Sequence, residues 1–260
     1  MEVLAIVNQK GGVGKTNVAA NFGASLAALG RNVIVVDVDP QSTLTKMLLK
    51  APRIPTDPGT ADVFVDEPGS IVELLVDVPD FGVRLLAADF DRLDEAQSTL
   101  MRDPTRLFGL AQALAPFDGD ADYVLIDCPP NYGQLTTAAL YASTGVVIPI
   151  DCSWEAVGGL GLLLRTLRRV ATIKPVPVHA VVATCYKASN TFHPEIVAGV
   201  RSVLGETPVY TVRDAIDVQR AVSLHRPIRT FAPKNGATTD YEILTAAIDA
   251  KLYKERARVE

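Results

Sequence analysis

Residues 2 to 30 read EVLAIVNQKGGVGKTNVAANFGASLAALG: an apolar run, a glycine-rich turn and an Ala- and Leu-rich helical pattern that stops at Gly30, in direct succession. The run reads as a buried strand and the pattern from Asn17 to Leu29 as a helix. The same shape of run recurs in RNVIVVDVDP, GVRLLAA, DYVLIDCPP, GVVIPID, VHAVVATCY and TPVYTV, and further helical patterns cover Gly133 to Ala142 and Val157 to Ile173. Strand then helix, repeated, gives a parallel sheet covered on both faces. The sequence therefore predicts one doubly wound α/β domain over residues 1–260, a mostly parallel twisted sheet with helices on both faces. Pro, Gly and Asp crowd the stretch from Ala51 to Gly82, which predicts loops around a short amphipathic segment, Ser70 to Val76. Tyr241, Leu244, Ala247 and Ile248 stand at helical spacing and predict a closing surface helix.

In an open parallel sheet, ligands bind beyond the carboxyl ends of the strands. After the first strand comes Lys10-Gly11-Gly12-Val13-Gly14-Lys15-Thr16-Asn17. Backbone N–H groups of such a loop point at phosphate oxygens, and the following helix adds the positive end of its dipole. Lys15 can bridge the outer phosphates, and Thr16 can offer its hydroxyl to Mg²⁺. The common spacing G-x-x-x-x-G-K-[ST] fails, because it needs glycine five positions before Gly14, where the chain has Gln9. Lys10 is thus a second lysine in a loop that needs one. Two later strands end in carboxylates. Asp37 and Asp39 alternate and share a face, and Asp127 stands where it can hold Mg²⁺ through a water. Turn chemistry before Pro40 and Pro129 is the plainer reading of these three.

The loop KGGVGKT, with VVDVDPQST and VLIDCPP following in that order, resembles the deviant phosphate loop and the later nucleotide motifs of the ParA/MinD family of dimeric ATPases. The resemblance continues through DCSWEAVGGLGLLL and RPIRTFAPKNGATTDYEIL and is weakest between Pro52 and Asp118. It implies a P-loop NTPase with ATP and Mg²⁺ as cofactors and slow, partner-stimulated hydrolysis. By the same resemblance Asp39 orients the attacking water, and Asp37 and Asp127 join Thr16 in the magnesium shell. Lys10 then reaches across a homodimer to the partner's nucleotide and neutralises charge during phosphoryl transfer, so that two chains sandwich two ATP molecules. Lys10, Gly11, Gly12, Val13, Gly14, Lys15, Thr16 and Asn17 form the expected ATP-binding segment. Thr184 and Cys185, at the end of a later strand, and the PKNGATTDY stretch are candidates for closing the base pocket.

The DPQ after the second strand looks like the partition branch of this family, whose members bind nonspecific DNA as ATP dimers and answer to a ParB-like centromere-binding partner. Net charge is -5, but residues 1–150 carry 10 Lys and Arg against 19 Asp and Glu, whereas residues 151–260 carry 15 against 11. The second part can therefore present phosphate-facing cations. Arg165, Arg168, Arg169, Arg213 and Arg220 are the candidates, with Lys187, Arg201, Arg226 and Arg229 beyond them. RDAIDVQRA stands where many partition ATPases read a segment like PRNVRLSEA, so Asp214 and Asp217 occupy positions expected to hold arginine.

The tail AKLYKERARVE, with Leu252, Tyr253 and Val259 among mixed charges, is a poor membrane anchor, and no apolar stretch approaches the ~18 residues of a span. No extension precedes the first strand, which leaves no room for the helix-turn-helix module of longer relatives. Cys128, Cys152 and Cys185 share no CxxC spacing, which argues against a metal or cluster site and fits a cytoplasmic protein, nucleoid-associated where it binds DNA. His179, His193 and His225 are too scattered to suggest a site. Two other readings stay open: a cargo-positioning ATPase of the same fold that binds no DNA, and a metabolic P-loop ligase with a small substrate at the strand ends.

Overall fold

The computed structural model describes residues 1–51, 53, 57–65 and 71–256 of the 260-residue chain. Its strands are β1 (Glu2–Ile6), β2 (Val33–Asp37), β3 (Leu75–Val78), β4 (Val83–Leu86), β5 (Tyr123–Asp127), β6 (Gly145–Asp151), β7 (Val178–Tyr186) and β8 (Val209–Arg213). The helices are α1 (Lys15–Ala28), α2 (Thr43–Leu48), α3 (Asp62–Val65), α4 (Phe90–Arg102), α5 (Gly109–Leu114), α6 (Gln134–Ala142), α7 (Glu155–Val170), α8 (Phe192–Leu204), α9 (Ile216–Ser223), α10 (Ile228–Phe231) and α11 (Gly236–Arg256). All eight strands join one sheet in the order β3-β4-β2-β5-β1-β6-β7-β8. Every pairing is parallel except β3 with β4.

Period-2 alternation sorts the central strands between two apolar layers. Val3, Ala5 and Val7 face one layer with Ile34 and Val36, under Leu93, Leu135 and Leu163 from α4, α6 and α7. Leu4 and Ile6 face the other with Val33 and Val35, under Phe22 and Leu26 of α1 and Leu244 and Ile248 of α11. Phe22 and Leu26 are fully buried, each contributing about 1.5–3 kcal/mol of transfer free energy. Helix α1 ends where Gly30 turns to φ +80, and the N–H groups of Gly30 and Arg31 return to the carbonyls of Ala27 and Leu26. Only glycine takes that conformation without strain, so the strand that follows can start at once.

The amphipathic segment expected over Ser70 to Val76 takes another form. Ser70 lies outside the described residues, Ile71–Leu74 is a 3₁₀ turn, and Leu75 begins β3. Val76 pairs with Leu85 and Val78 with Val83, so Phe81 and Gly82 close a hairpin where a loop was expected. Pairing against β4 satisfies the inward-facing half of the backbone groups of Leu75 to Val78, which a loop would have left to solvent. Helices α3 and α4 likewise occupy ground read as loop or left unassigned. Of the described residues, no helix is long and apolar enough to cross a membrane.

Candidate active site

The carboxyl ends of β1, β2, β5, β6 and β7 converge on the loop of residues 8–16. Asn8 shapes its entry: the side chain donates to Pro149 O at 2.6 Å and accepts from Lys10 N at 3.0 Å. Gly12 and Gly14 then sit at φ +75 and +79, the left-handed region that a side chain would strain. A Cβ added to Gly14 would stand 3.3 Å from Cγ2 of Thr184, so this glycine also permits a close approach from β7. Thr184 supports the loop from beneath. It is 5% exposed, and its hydroxyl lies 2.9 Å from Val13 O and 3.0 Å from Ile150 O. With its hydroxyl committed to those two carbonyls, Thr184 acts on the loop rather than on a base. Cys185, exposed and at φ +51, is the one of the two that faces outward.

Lys15 opens α1 and is buried, its ammonium donating to Lys10 O at 3.3 Å across the turn. Burial lowers its pKa, and the charges of Asp127, Cys128 and Asp39 partly restore it. A lysine held on a carbonyl of its own loop, beside glycine N–H groups, is placed to receive a phosphate oxygen.

Asp37 and Asp127 end adjacent strands in direct register and are both fully buried. Asp127 Oδ2 accepts from Thr16 Oγ1 at 2.7 Å, while its Oδ1 is buried with no hydrogen-bond partner. An orphaned carboxylate oxygen next to a threonine hydroxyl at the end of a phosphate loop fits a hydrated Mg²⁺, a hard cation that takes oxygen ligands and keeps several waters. Asp37 is differently employed. Its Oδ2 accepts from both N and Oγ1 of Thr45 at 2.8 Å, and its Oδ1 accepts from Asp39 N at 3.1 Å. Asp37 thus anchors α2 and the turn after β2, and can act on a cation mainly through its field. Burial raises both carboxyl pKa values, Asp37 to about 7. Asp39 accepts from Gln41 N at 3.0 Å and stays at the site's edge, 9% exposed.

Lys10 points away from its own loop. Its ammonium lies 2.8 Å from Asp151 Oδ2 and 3.5 Å from Glu155 Oε2, and donates to Ser153 Oγ at 2.8 Å. The Asp151 hydrogen bond is the main reason its pKa is raised. Asp151, Ser153 and Glu155 belong to the DCSWE stretch after β6, to which the sequence reading gave no role. An acidic residue at a strand end facing the glycine loop was the available signal. Thr45, eight residues beyond Asp37, carried none.

The basic candidates divide into two groups. Arg165, Arg168 and Arg169 are exposed on α7 and make no ion pair among the described residues. Arg213 is clamped to Asp240 at 2.7 and 2.8 Å, Arg220 stands 3.5 Å from Asp217, and Lys187 is paired with Asp214 at 2.9 Å. Arg213 and Arg220 thus differ from the α7 group in having a carboxylate of their own chain within reach, most closely at Arg213.

The pattern of the AAA domain family matches residues 1–176. The chromosome partitioning protein ParA of Caulobacter vibrioides is 34% identical over 93% of this chain and 91% of its own. The sporulation initiation inhibitor protein Soj of Bacillus subtilis is 31% identical over 96% and 98%. Among solved structures, apo McdA of Cyanothece superposes with a TM-score of 0.85 at 21% identity, covering 95% of this chain and 99% of that one. Cobyrinic acid a,c-diamide synthase from Mycobacterium smegmatis, with a bound ATP analogue and magnesium, reaches 0.80 at 31% identity, covering 95% and 93%. With its phosphate loop, its paired strand-end aspartates and these relatives, the chain belongs to the ParA/MinD-type partition ATPases of the AAA-domain family.

Proposed function

We propose that this protein is a Mg²⁺-dependent ATPase that dimerises on ATP, binds nonspecific DNA in that state and partitions a plasmid or chromosome, with hydrolysis stimulated by a ParB-like partner. The observation that carries the reading is the division of labour between two lysines. Lys15 faces its own loop, whereas Lys10 is turned away from it onto Asp151 and Ser153, so its charge is not spent on the loop's own phosphates. In this reading the N–H groups of residues 11–16 hold the phosphates, and Lys15 compensates their charge. Thr16 and Asp127 would hold Mg²⁺, which neutralises charge on the outer phosphates, and Asp39 orients the attacking water. Lys10 leaves Asp151 to meet the partner chain's nucleotide. The exposed arginines of α7 supply the DNA contacts, which are electrostatic and salt-sensitive.

The likeness to a cobyrinic acid a,c-diamide synthase favours a second reading, a ligase that activates a small carboxylate with ATP. One experiment separates them. Asp39→Ala protein with ATP is sedimented and then mixed with random duplex DNA over a salt series. The partition reading expects a dimer and an ATP-dependent shift that weakens with salt. A monomer with ATP refutes the sandwich. A dimer that ignores DNA at low salt refutes the partition role and leaves cargo positioning or ligation.

A further inference from the structure

Away from the phosphate loop, a cavity of about 340 Å³ opens between α2, the start of α4 and the turn after α9. Thr45, Lys46, Lys50, Arg53, Asp89 and His225 line it. Among the described residues, its lining side chains are incompletely matched. Lys46 Nζ has only the Gln41 carbonyl there, at 2.8 Å. Arg53 donates through Nη2 to Pro58 O, while its Nε is buried without a partner. Nδ1 of His225, whose backbone sits at φ 52, is also buried without a partner. Lys50 is neutralised by Asp80 at 2.5 Å. Among the described residues the lining carboxylate is Asp89, which accepts Arg92 N through Oδ1 at 3.3 Å as the cap of α4 and has no described partner at Oδ2.

We infer that this cavity binds a small phosphorylated molecule that also carries hydroxyl groups, the phosphate held by Lys46 and Arg53 and a hydroxyl donating to Asp89. A guanidinium and an ammonium lining one cavity suit phosphate, since charge-assisted bonds to two cations repay its dehydration better than water-exposed pairs do. A volume of about 340 Å³ exceeds what a bare phosphate fills and lies at the lower end of small-molecule sites. The floor of the cavity is wired to the catalytic end of the sheet. Thr45 bridges Ala88 N to Asp37, and Lys46 holds the carbonyl of Gln41, whose N–H binds Asp39. A phosphate that draws Lys46 off Gln41 would loosen the turn carrying Asp39. That coupling rests on the role proposed for Asp39, but binding itself does not.

The test uses the full chain saturated with Mg²⁺ and ADP, so that the phosphate loop is filled. Amide NMR shifts of Lys46, Ala88 and Asp89 are followed while ribose 5-phosphate, inorganic phosphate and short duplex DNA are added separately. The expected result is saturable shifts with ribose 5-phosphate, binding tighter than phosphate. Lys46→Gln and Arg53→Gln should each weaken ribose 5-phosphate about tenfold with ADP affinity unchanged. Asp89→Asn, which still caps the helix, should weaken ribose 5-phosphate but not phosphate. Absence of saturable shifts, wild-type affinity for ribose 5-phosphate in both cation variants, or shifts produced by DNA alone would overturn the site. Failure of ADP to bind would instead refute the nucleotide loop.

Discussion

Thr45→Val removes one oxygen and preserves shape, so its effect isolates a single buried hydroxyl. That hydroxyl donates to Asp37 Oδ2 and accepts from Ala88 N, each at 2.8 Å, with Thr45 only 4% exposed. Losing a bond to a carboxylate costs about 1.5–3 kcal/mol, and stranding a buried N–H costs about 1–3 kcal/mol. The two losses share an atom and do not simply add, so about 3 kcal/mol is expected. For a chain of this size each kcal/mol moves the thermal midpoint by about 2–4 °C, giving a drop of roughly 6–12 °C. Equilibrium urea unfolding of the nucleotide-free protein, cross-checked by calorimetry, measures it. Thr45→Ser keeps the hydroxyl and should recover all but about 1 kcal/mol. A valine variant within about 1 kcal/mol of wild type, or a serine variant as weak as valine, would refute the two-sided role of this oxygen.

Two further outcomes follow from the site. Burial raises Asp37 to about 7 from an ordinary 3.8, and Asp127 is raised as well, chiefly by burial and next by the charge of Asp37. The folded chain therefore keeps protons that the unfolded chain has released, and stability of the nucleotide-free protein falls as pH rises from about 4 to about 7. Asp37→Asn should flatten that fall in urea midpoints, and an unchanged slope would contradict the burial account. Asp151→Asn should loosen the hold on Lys10, leaving Ser153 and Glu155, and lower the protein concentration giving half-maximal ATPase, by up to about fivefold for a part-exposed pair. An unchanged concentration dependence would show that the pair does not compete with assembly.

The strands and the phosphate loop were legible because both depend on local pattern. Runs such as VIVVD and YVLID are buried along their whole length, and Gly12 and Gly14 have φ values that glycine alone takes easily. Partners distant in sequence were not legible. Asp240 lies 27 residues beyond Arg213, and nothing in RDAIDVQRA announces that it will claim that guanidinium. Lys10 illustrates the limit from another side: its separation from an ordinary phosphate loop was readable, while its hold on Asp151, 141 residues away, needed the register of β1 against β6. Helix α4 was left unassigned although Asp89 caps it, because an aspartate before a mostly polar segment is a weak signal on its own.

The antiparallel β3 has a consequence for how the molecule meets others. A sheet edge is a template on which another chain can add a strand. Here one edge is a strand of four residues bearing the exposed Asp77, and it ends in a tight turn. At the other edge, the N–H of Arg213 is already bound to Asp240 Oδ2 at 2.9 Å. Neither border invites sheet-to-sheet growth. With both borders blunted in this way, the dimer proposed above would have to form at the loops on the carboxyl ends of the strands, where a contact can be undone instead of locking into a fibril.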